Sequence, residues 1–311
     1  MKPIKQIDIK KGMKVDDLVK EMSSSGVFGA GRIARAADIF EEIIEDKECK
    51  VFFGLAGAMV PGGMKNIVID MLKNNYIHVF VTTGANLTHD LVEALGHNHF
   101  QGSANVDDGK LHKEKIDRIY DGYMEDKVYI TLEKFFDAVI DEFPRRKMNI
   151  KEFLWEIGKH INSKNSILRI CYEKKIPIFC PGIADSGIGM MIWGNLAKGK
   201  KIAVDAFADL KEIVDITWTT KKRAIFYVGG GVPKNYIQQA MQFSDKQDGA
   251  NYGIQITTDR PEYGGSSGAE LREGISWGKM NENGKFVDVY CDATIALPLI
   301  YAAVKNRLKW F

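Results

Sequence analysis

The chain has 311 residues, 45% hydrophobic and 27% charged, a composition that suits one large globular α/β unit. Its 43 basic and 41 acidic residues leave a net charge of +2, so neither nucleic acid nor a membrane surface is expected as a partner. No signal-peptide core follows Met1, the apolar stretch at 295–304 is too short to span a bilayer, and the four cysteines form no C-x-x-C pair; a cytoplasmic protein without disulfides or a metal site is expected.

An N-terminal arm (1–28) leads to an expected helix at 30–44, a strand at 51–53, a helix at 64–73, a strand at 78–81 and a helix at 87–95. Residues from about 101 to 165 break this rhythm: they are charged and mainly helical, at 132–143 and 150–160, and read as an insertion. The alternation resumes with a helix at 166–174, strands at 176–180 and 202–204, and a helix at 207–214. Strands at 224–228, 252–256 and 286–290 then alternate with helices at 233–243, 268–276 and 293–308. This βαβα order predicts an α/β fold whose central, mostly parallel sheet is covered by helices on both faces. The strands are rich in Val, Ile and Phe without strict alternation, as burial on both faces requires. No linker rich in Pro, Gly or Ser divides the chain, so 1–311 is expected to be a single domain.

The strand ends carry the functional signal. Phe53 leads into Gly54-Leu55-Ala56-Gly57-Ala58, Val81 into Thr82-Thr83-Gly84-Ala85-Asn86, and Cys180 into Pro181-Gly182-Ile183-Ala184-Asp185-Ser186-Gly187. Val228 leads into Gly229-Gly230-Gly231, Ile256 into Thr257-Thr258-Asp259, and Tyr290 into Cys291-Asp292. Open parallel sheets bind ligands beyond the carboxyl ends of their strands. Glycine there admits close approach of a phosphate or ring, and the next helix offers free N–H groups to an anion. Six such ends point to a nucleotide-sized site.

Three other motifs weigh less. Gly29-Ala30-Gly31-Arg32-Ile33-Ala34 matches G-x-G-x-x-A, but no strand precedes it, so it reads as a helix entry. Gly264-Gly265-Ser266-Ser267-Gly268 matches the hydrolase elbow G-x-S-x-G, yet every histidine lies at or before His160, which rules out the order Ser…Asp…His. It reads instead as a loop lining a ligand. His97-Asn98-His99, with His89 upstream, lacks a set of metal-ligand partners and reads as hydrogen-bonding histidines. Lys279 has two readings. It is one of many surface lysines, or it is an amine beside Trp277, partly desolvated, with a lowered pKa suited to Schiff-base chemistry and Glu273 six residues earlier.

Five blocks in order carry a resemblance: Gly54-Leu55-Ala56-Gly57-Ala58-Met59-Val60-Pro61, Thr82-Thr83-Gly84-Ala85-Asn86-Leu87-Thr88-His89-Asp90, Gly229-Gly230-Gly231-Val232-Pro233-Lys234, Ser276-Trp277-Gly278-Lys279 and Tyr290-Cys291-Asp292-Ala293. Together they resemble deoxyhypusine synthase, most closely its archaeal-type branch, from about residue 26 onward. The resemblance implies a Rossmann-like subunit of a homotetramer, with active sites at subunit interfaces. It implies NAD as cofactor, spermidine or a related polyamine as donor, and a lysine of translation initiation factor 5A as acceptor. The alternative it leaves is a homospermidine synthase, which hands the aminobutyl group to putrescine.

By motif, Lys279 matches the family's imine-forming lysine. Asp185, Gly230, Thr258, Ser267 and Asp292 match its NAD contacts, and Gly57, Ala58, Thr83, Gly84, Ala85, His89, Asp259 and Ala293 extend the expected cofactor set. Glu273 and Trp277 match the amine pocket, and Met190, Asn235, Gln239, Gly264, Gly265 and Ser266 complete the expected substrate set. Several of these depart from eukaryotic members. Asn235 stands where they carry a histidine, Met190 and Ser266 where they carry acidic residues, Gln239 where they carry an asparagine, and His89 where they carry a glutamate.

Overall fold

The computed structural model describes residues 1–244 and 248–308. The chain begins with α1 (Val15–Ser25), α2 (Phe28–Glu45), β1 (Cys49–Leu55), α3 (Lys65–Lys73), β2 (Val79–Thr82) and α4 (Gly84–Ala94). Next come β3 (Phe100–Gln101), α5 (Asp108–Lys113), β4 (Ile116–Ile119), β5 (Gly122–Glu125), α6 (Val128–Val139), β6 (Met148–Asn149), α7 (Ile150–Lys159) and α8 (Ile167–Lys174). They are followed by β7 (Ile178–Phe179), α9 (Gly187–Ala197), β8 (Val204–Asp205), α10 (Ala206–Thr219), β9 (Lys222–Val228) and α11 (Gly231–Gln242). The last elements are β10 (Ala250–Thr257), a 3-10 helix at Leu271–Trp277, β11 (Met280–Tyr290) and α12 (Ala293–Arg307).

Two compact units form. The first comprises Met1–Ala56, Tyr76–Val81 and Leu210–Phe311, and the second Gly57–Asn75 and Thr82–Asp209. Five of the six strands of the main sheet belong to the first unit, in the order β11-β10-β9-β1-β2. β9 runs parallel to β1, with Phe226 beside Phe53, and β10 runs parallel to both β9 and β11. Neighbouring residues on a strand face opposite sides. Accordingly Phe226 meets Phe40 of α2 edge-on at 5.2 Å and Phe53 at 5.3 Å, while Gly54, beside Tyr227, faces Ile237 of α11. Helices therefore cover both faces, which is why 51–53 and 224–228 read as unbroken apolar runs. At the end of α12, Arg307 binds Asp16 of α1 and Asp38 and Glu41 of α2, the last two at 2.9 and 3.0 Å. The fingerprint look-alike at 29–34 lies inside α2, as its missing strand implied.

In the second unit β3, β5 and β4 form a small antiparallel sheet. The strand expected at 202–204 appears as β8 and pairs with β6 through Met148 and Val204, not with the main sheet. Its flanking Lys200 and Lys201 and the exposed Val204 suit an edge better than a buried sheet. Helix α8 starts on a buried carboxylate. Asp90 of α4, fully buried, accepts hydrogen bonds from Ser166 Oγ at 2.7 Å, Ile167 N at 2.9 Å and Leu168 N at 3.0 Å. These satisfy N–H groups that a helix start leaves free.

Candidate active site

The carboxyl ends of β9, β10 and β11 carry the first unit's candidates. Gly230 is the N-cap of α11 and has no space beside it: an added Cβ would lie 2.3 Å from Ser267 Cα. The triple-glycine turn and the Gly/Ser loop thus touch backbone to backbone. Gly230→Ala should push them apart and cost about 1–3 kcal/mol of stability, read from urea unfolding. Thr258 and Asp259 follow β10 and are exposed, as are Gly264, Gly265 and Ser266, while Ser267 is half-buried. Ser266 Oγ donates to Gly231 O at 3.4 Å. Asp292 caps α12 by accepting from Thr294 N at 2.7 Å, and Ala293 begins that helix. On α11, Asn235 is half-buried and Gln239 exposed.

The helix expected at 268–276 is a 3-10 helix confined to Leu271–Trp277. Gly274 within it and Gly278 after it disfavour a longer α-helix. Gly278, at φ 66, turns the chain in the left-handed region and delivers Lys279 to the start of β11. The Lys279 backbone is held on both sides, its N–H donating to Gly274 O at 2.8 Å and its carbonyl accepting from Ala250 N at 3.1 Å. Its Nζ sits 4.6 Å from the centroid of the Trp277 ring. Burial lowers the Lys279 pKa from the ordinary lysine range, and the Glu273 carboxylate opposes that shift.

The neutral amine is the reactive form, and its share grows as pH rises through the pKa. A lowered pKa therefore completes that growth at a lower pH than for an exposed lysine. Glu273→Gln removes a charge that favours the ammonium form, so the midpoint should move to still lower pH. Competitive acetylation of Lys279 between about pH 7 and 11 measures this without any substrate.

The second unit holds the remaining candidates. Thr83 caps α4 by accepting from Asn86 N at 3.4 Å, and Gly84 and Ala85 form the first turn. Gly57 and Ala58 follow β1, and Asp185 precedes Ser186, the N-cap of α9. His89 on α4 has its Nδ1 2.9 Å from His99 Nε2, and His99 Nδ1 lies 2.8 Å from Glu93, which also binds Lys65. Burial, reinforced by His99, lowers the His89 pKa to about 4, so His89 is uncharged near neutral pH. His97 bonds Thr131 Oγ1 at 2.7 Å. These histidines have the hydrogen-bonding roles that their spacing suggested. Met190 is 56% exposed on α9.

Sequence reasoning missed three polar side chains beneath the Lys279 segment. Lys234 of α11 is 1% exposed and donates to Ala269 O. Gln255 of β10 donates to Ser267 O at 2.8 Å, and Asp288 of β11 accepts from Leu271 N at 3.1 Å. A signal was there: Gln255 and Asp288 are polar residues inside otherwise apolar expected strands, where such groups are rare unless paired.

The fold and these loops define the class: a parallel α/β protein with glycine-rich strand ends and a partly desolvated lysine at the start of its last strand. The family model of deoxyhypusine synthase matches residues 17–304. A protein of Methanosarcina thermophila named "Probable deoxyhypusine synthase" is 47% identical over 307 residues, 99% of this chain and 96% of that protein. "Probable deoxyhypusine synthase 1" of Archaeoglobus fulgidus is 43% identical, covering 96% of this chain and 97% of that one. A crystal structure from Entamoeba histolytica that carries the same synthase name shares the fold, with a TM-score of 0.68 at 19% identity over 99% of each chain. The chain belongs to the deoxyhypusine synthase family, whose members are aminobutyl-transferring enzymes. These relatives do not favour the homospermidine alternative.

Proposed function

We propose that the chain is an NAD-dependent deoxyhypusine synthase that takes the 4-aminobutyl group of spermidine onto Lys279 and passes it to a lysine of translation initiation factor 5A. The observation that carries this reading is the Lys279 amine: backbone-fixed on both sides, set over the Trp277 ring and partly desolvated.

The strand ends of the first unit suit a dinucleotide. Gly229 and Gly231 have positive φ, Gly230 has no room for a side chain, and α11 starts at Gly231, a combination suited to a pyrophosphate. The exposed Asp259 and Thr258 offer acceptors for ribose hydroxyls, and Ser267, Asp292 and Ala293 complete the proposed set. For the second unit, taken by itself, Gly57, Ala58, Thr83, Gly84, Ala85, His89 and Asp185 keep the cofactor-binding role that their motifs imply. When bound, NAD supplies the hydride acceptor that makes an amine carbon electrophilic.

The chain's own residues do the rest. Neutral Lys279 attacks that carbon, the C–N bond to 1,3-diaminopropane breaks, and an imine on Lys279 holds the aminobutyl group. Glu273 attracts the ammonium ends of the donor, and Trp277 lays an apolar face along its methylenes and shields the imine from water. Asn235, Gln239, Gly264, Gly265 and Ser266 are neutral, so in the first unit charge recognition falls mainly to Glu273. The acceptor lysine then displaces Lys279 by attack on the same carbon, which frees the enzyme amine and leaves an imine on factor 5A, to be reduced by the hydride that NAD would have accepted at the start.

On α9, Met190, Trp193 and Leu196 are exposed at helical spacing, a stripe we assign to a subunit contact of a homotetramer with active sites at its interfaces. We place the enzyme in the cytoplasm; no helix among the described residues is long and apolar enough to cross a membrane. The test is incubation with NAD and spermidine, with factor 5A or putrescine added as acceptor. Release of 1,3-diaminopropane with labelled factor 5A supports the proposal, and transfer to putrescine alone or no release at all contradicts it.

A further inference from the structure

Three buried polar side chains from three different elements converge on alternate residues of one segment. Gln255 Nε2 of β10 donates to Ser267 O, Lys234 Nζ of α11 to Ala269 O, and Asp288 of β11 accepts the Leu271 N–H at both oxygens, at 3.1 and 3.4 Å. Gln255 and Asp288 are register partners on adjacent strands, and Tyr227 of β9 completes the row. Exposure is 0% for Gln255, 1% for Lys234 and 7% for Asp288. Such a row would be more simply filled by apolar side chains, because each buried polar group loses water.

The contacts made are selective. Gln255 satisfies its donor on Ser267 while its Oε1 has no hydrogen-bond partner among the described residues, and the same holds for Tyr227 Oη. The segment 267–271 is thus fixed at a cost to the core. It leads directly into the 3-10 helix that carries Glu273 and Trp277, and then to Lys279. A helix this short holds its place through its anchors more than through its own bonds.

We propose that Gln255, Lys234 and Asp288 are positioning residues for the amine pocket: they clamp Ser267, Ala269 and Leu271 from beneath and so fix Glu273 and Trp277 relative to Lys279. This rests on the reading of Lys279 as the covalent lysine. None of the three needs to touch substrate. Burial lowers the Lys234 pKa to about 8 and raises that of Asp288 to about 6, consistent with groups held by fixed contacts in place of water. Lys234 keeps a donor in either protonation state, and Asp288 keeps an acceptor, so the clamp survives titration of both.

The test uses the full chain and four variants: Lys234→Met, Gln255→Met, Asp288→Leu and Asp288→Asn. The first three each remove one clamp contact, and the last keeps a carbonyl acceptor for Leu271 N–H. Amide hydrogen exchange, measured without substrate, should quicken roughly tenfold or more across 268–279 in the first three, with β1 and β9 protected as in the parent. Turnover should fall about ten- to a hundredfold in kcat with a smaller change in the spermidine KM, and Asp288→Asn should stay close to the parent. Unchanged exchange at 268–279, faster exchange spread evenly through the sheet, or Asp288→Asn as impaired as Asp288→Leu would overturn the clamp. If the parent forms no borohydride-trapped adduct on Lys279, the reading of that lysine fails instead. The two failures are distinct because exchange needs no turnover.

Discussion

Lys279→Ala should lose at least about a thousandfold of synthase turnover, because no other group can take over the covalent step from a removed nucleophile. The same protein should melt within roughly 2 °C of the parent. Lys279 is half-buried, and its Nζ makes a contact with the Trp277 ring but no hydrogen bond or ion pair among the described residues, so few interactions are lost with it. Lys279→Arg should be about as inactive, since a guanidinium stays protonated and cannot add to carbon as a neutral amine. Turnover assays beside thermal melts give both quantities. A Lys279→Ala enzyme with more than about a tenth of parental activity would mean that the aminobutyl group rests elsewhere.

Asp90→Ala should give the opposite profile, a large loss of stability from a residue outside the proposed set of site residues. Three donors converge on that carboxylate, and alanine leaves the Ser166 hydroxyl proton and the N–H groups of Ile167 and Leu168 unpaired in a dry site, although Ser166 Oγ still accepts from Arg169 N. At about 1–3 kcal/mol for each buried group left unsatisfied, with some relaxation, the total is about 3–5 kcal/mol. That corresponds to roughly 10 °C in melting temperature. Asp90→Asn keeps one acceptor and should lose about half as much. Urea and thermal unfolding check both, and an alanine variant that melts with the parent would remove Asp90 as the anchor of α8.

Much of this architecture was legible in the sequence because burial on both faces leaves a plain signature. β9 and β10 read as apolar runs, and each is followed by glycine, hydroxyl or carboxylate residues where a strand ends. Helices with an apolar stripe, such as α2 and α7, were equally clear. Helix α9 was hidden by Gly187, Gly189 and Gly194, whose low helix propensity is outweighed by the Ser186 cap and by packing. At Leu271–Trp277 the glycines did decide the local structure, and the expected helix tightened to 3-10. The candidate site was legible in its loops and in Lys279, where residue types and spacing recur in a known order. Its support was not. Lys234, Gln255 and Asp288 are scattered along the chain and meet only in the folded sheet, and nothing local in the sequence states which backbone groups they will find.

The central claim is that Lys279 carries the aminobutyl group. The most direct measurement incubates the enzyme with NAD and spermidine, adds borohydride, and maps modified lysines by peptide mass spectrometry. The expected result is one aminobutyl adduct, on Lys279, that requires both NAD and spermidine. An adduct on a different lysine such as Lys234, or none on a preparation that still releases 1,3-diaminopropane, would contradict it.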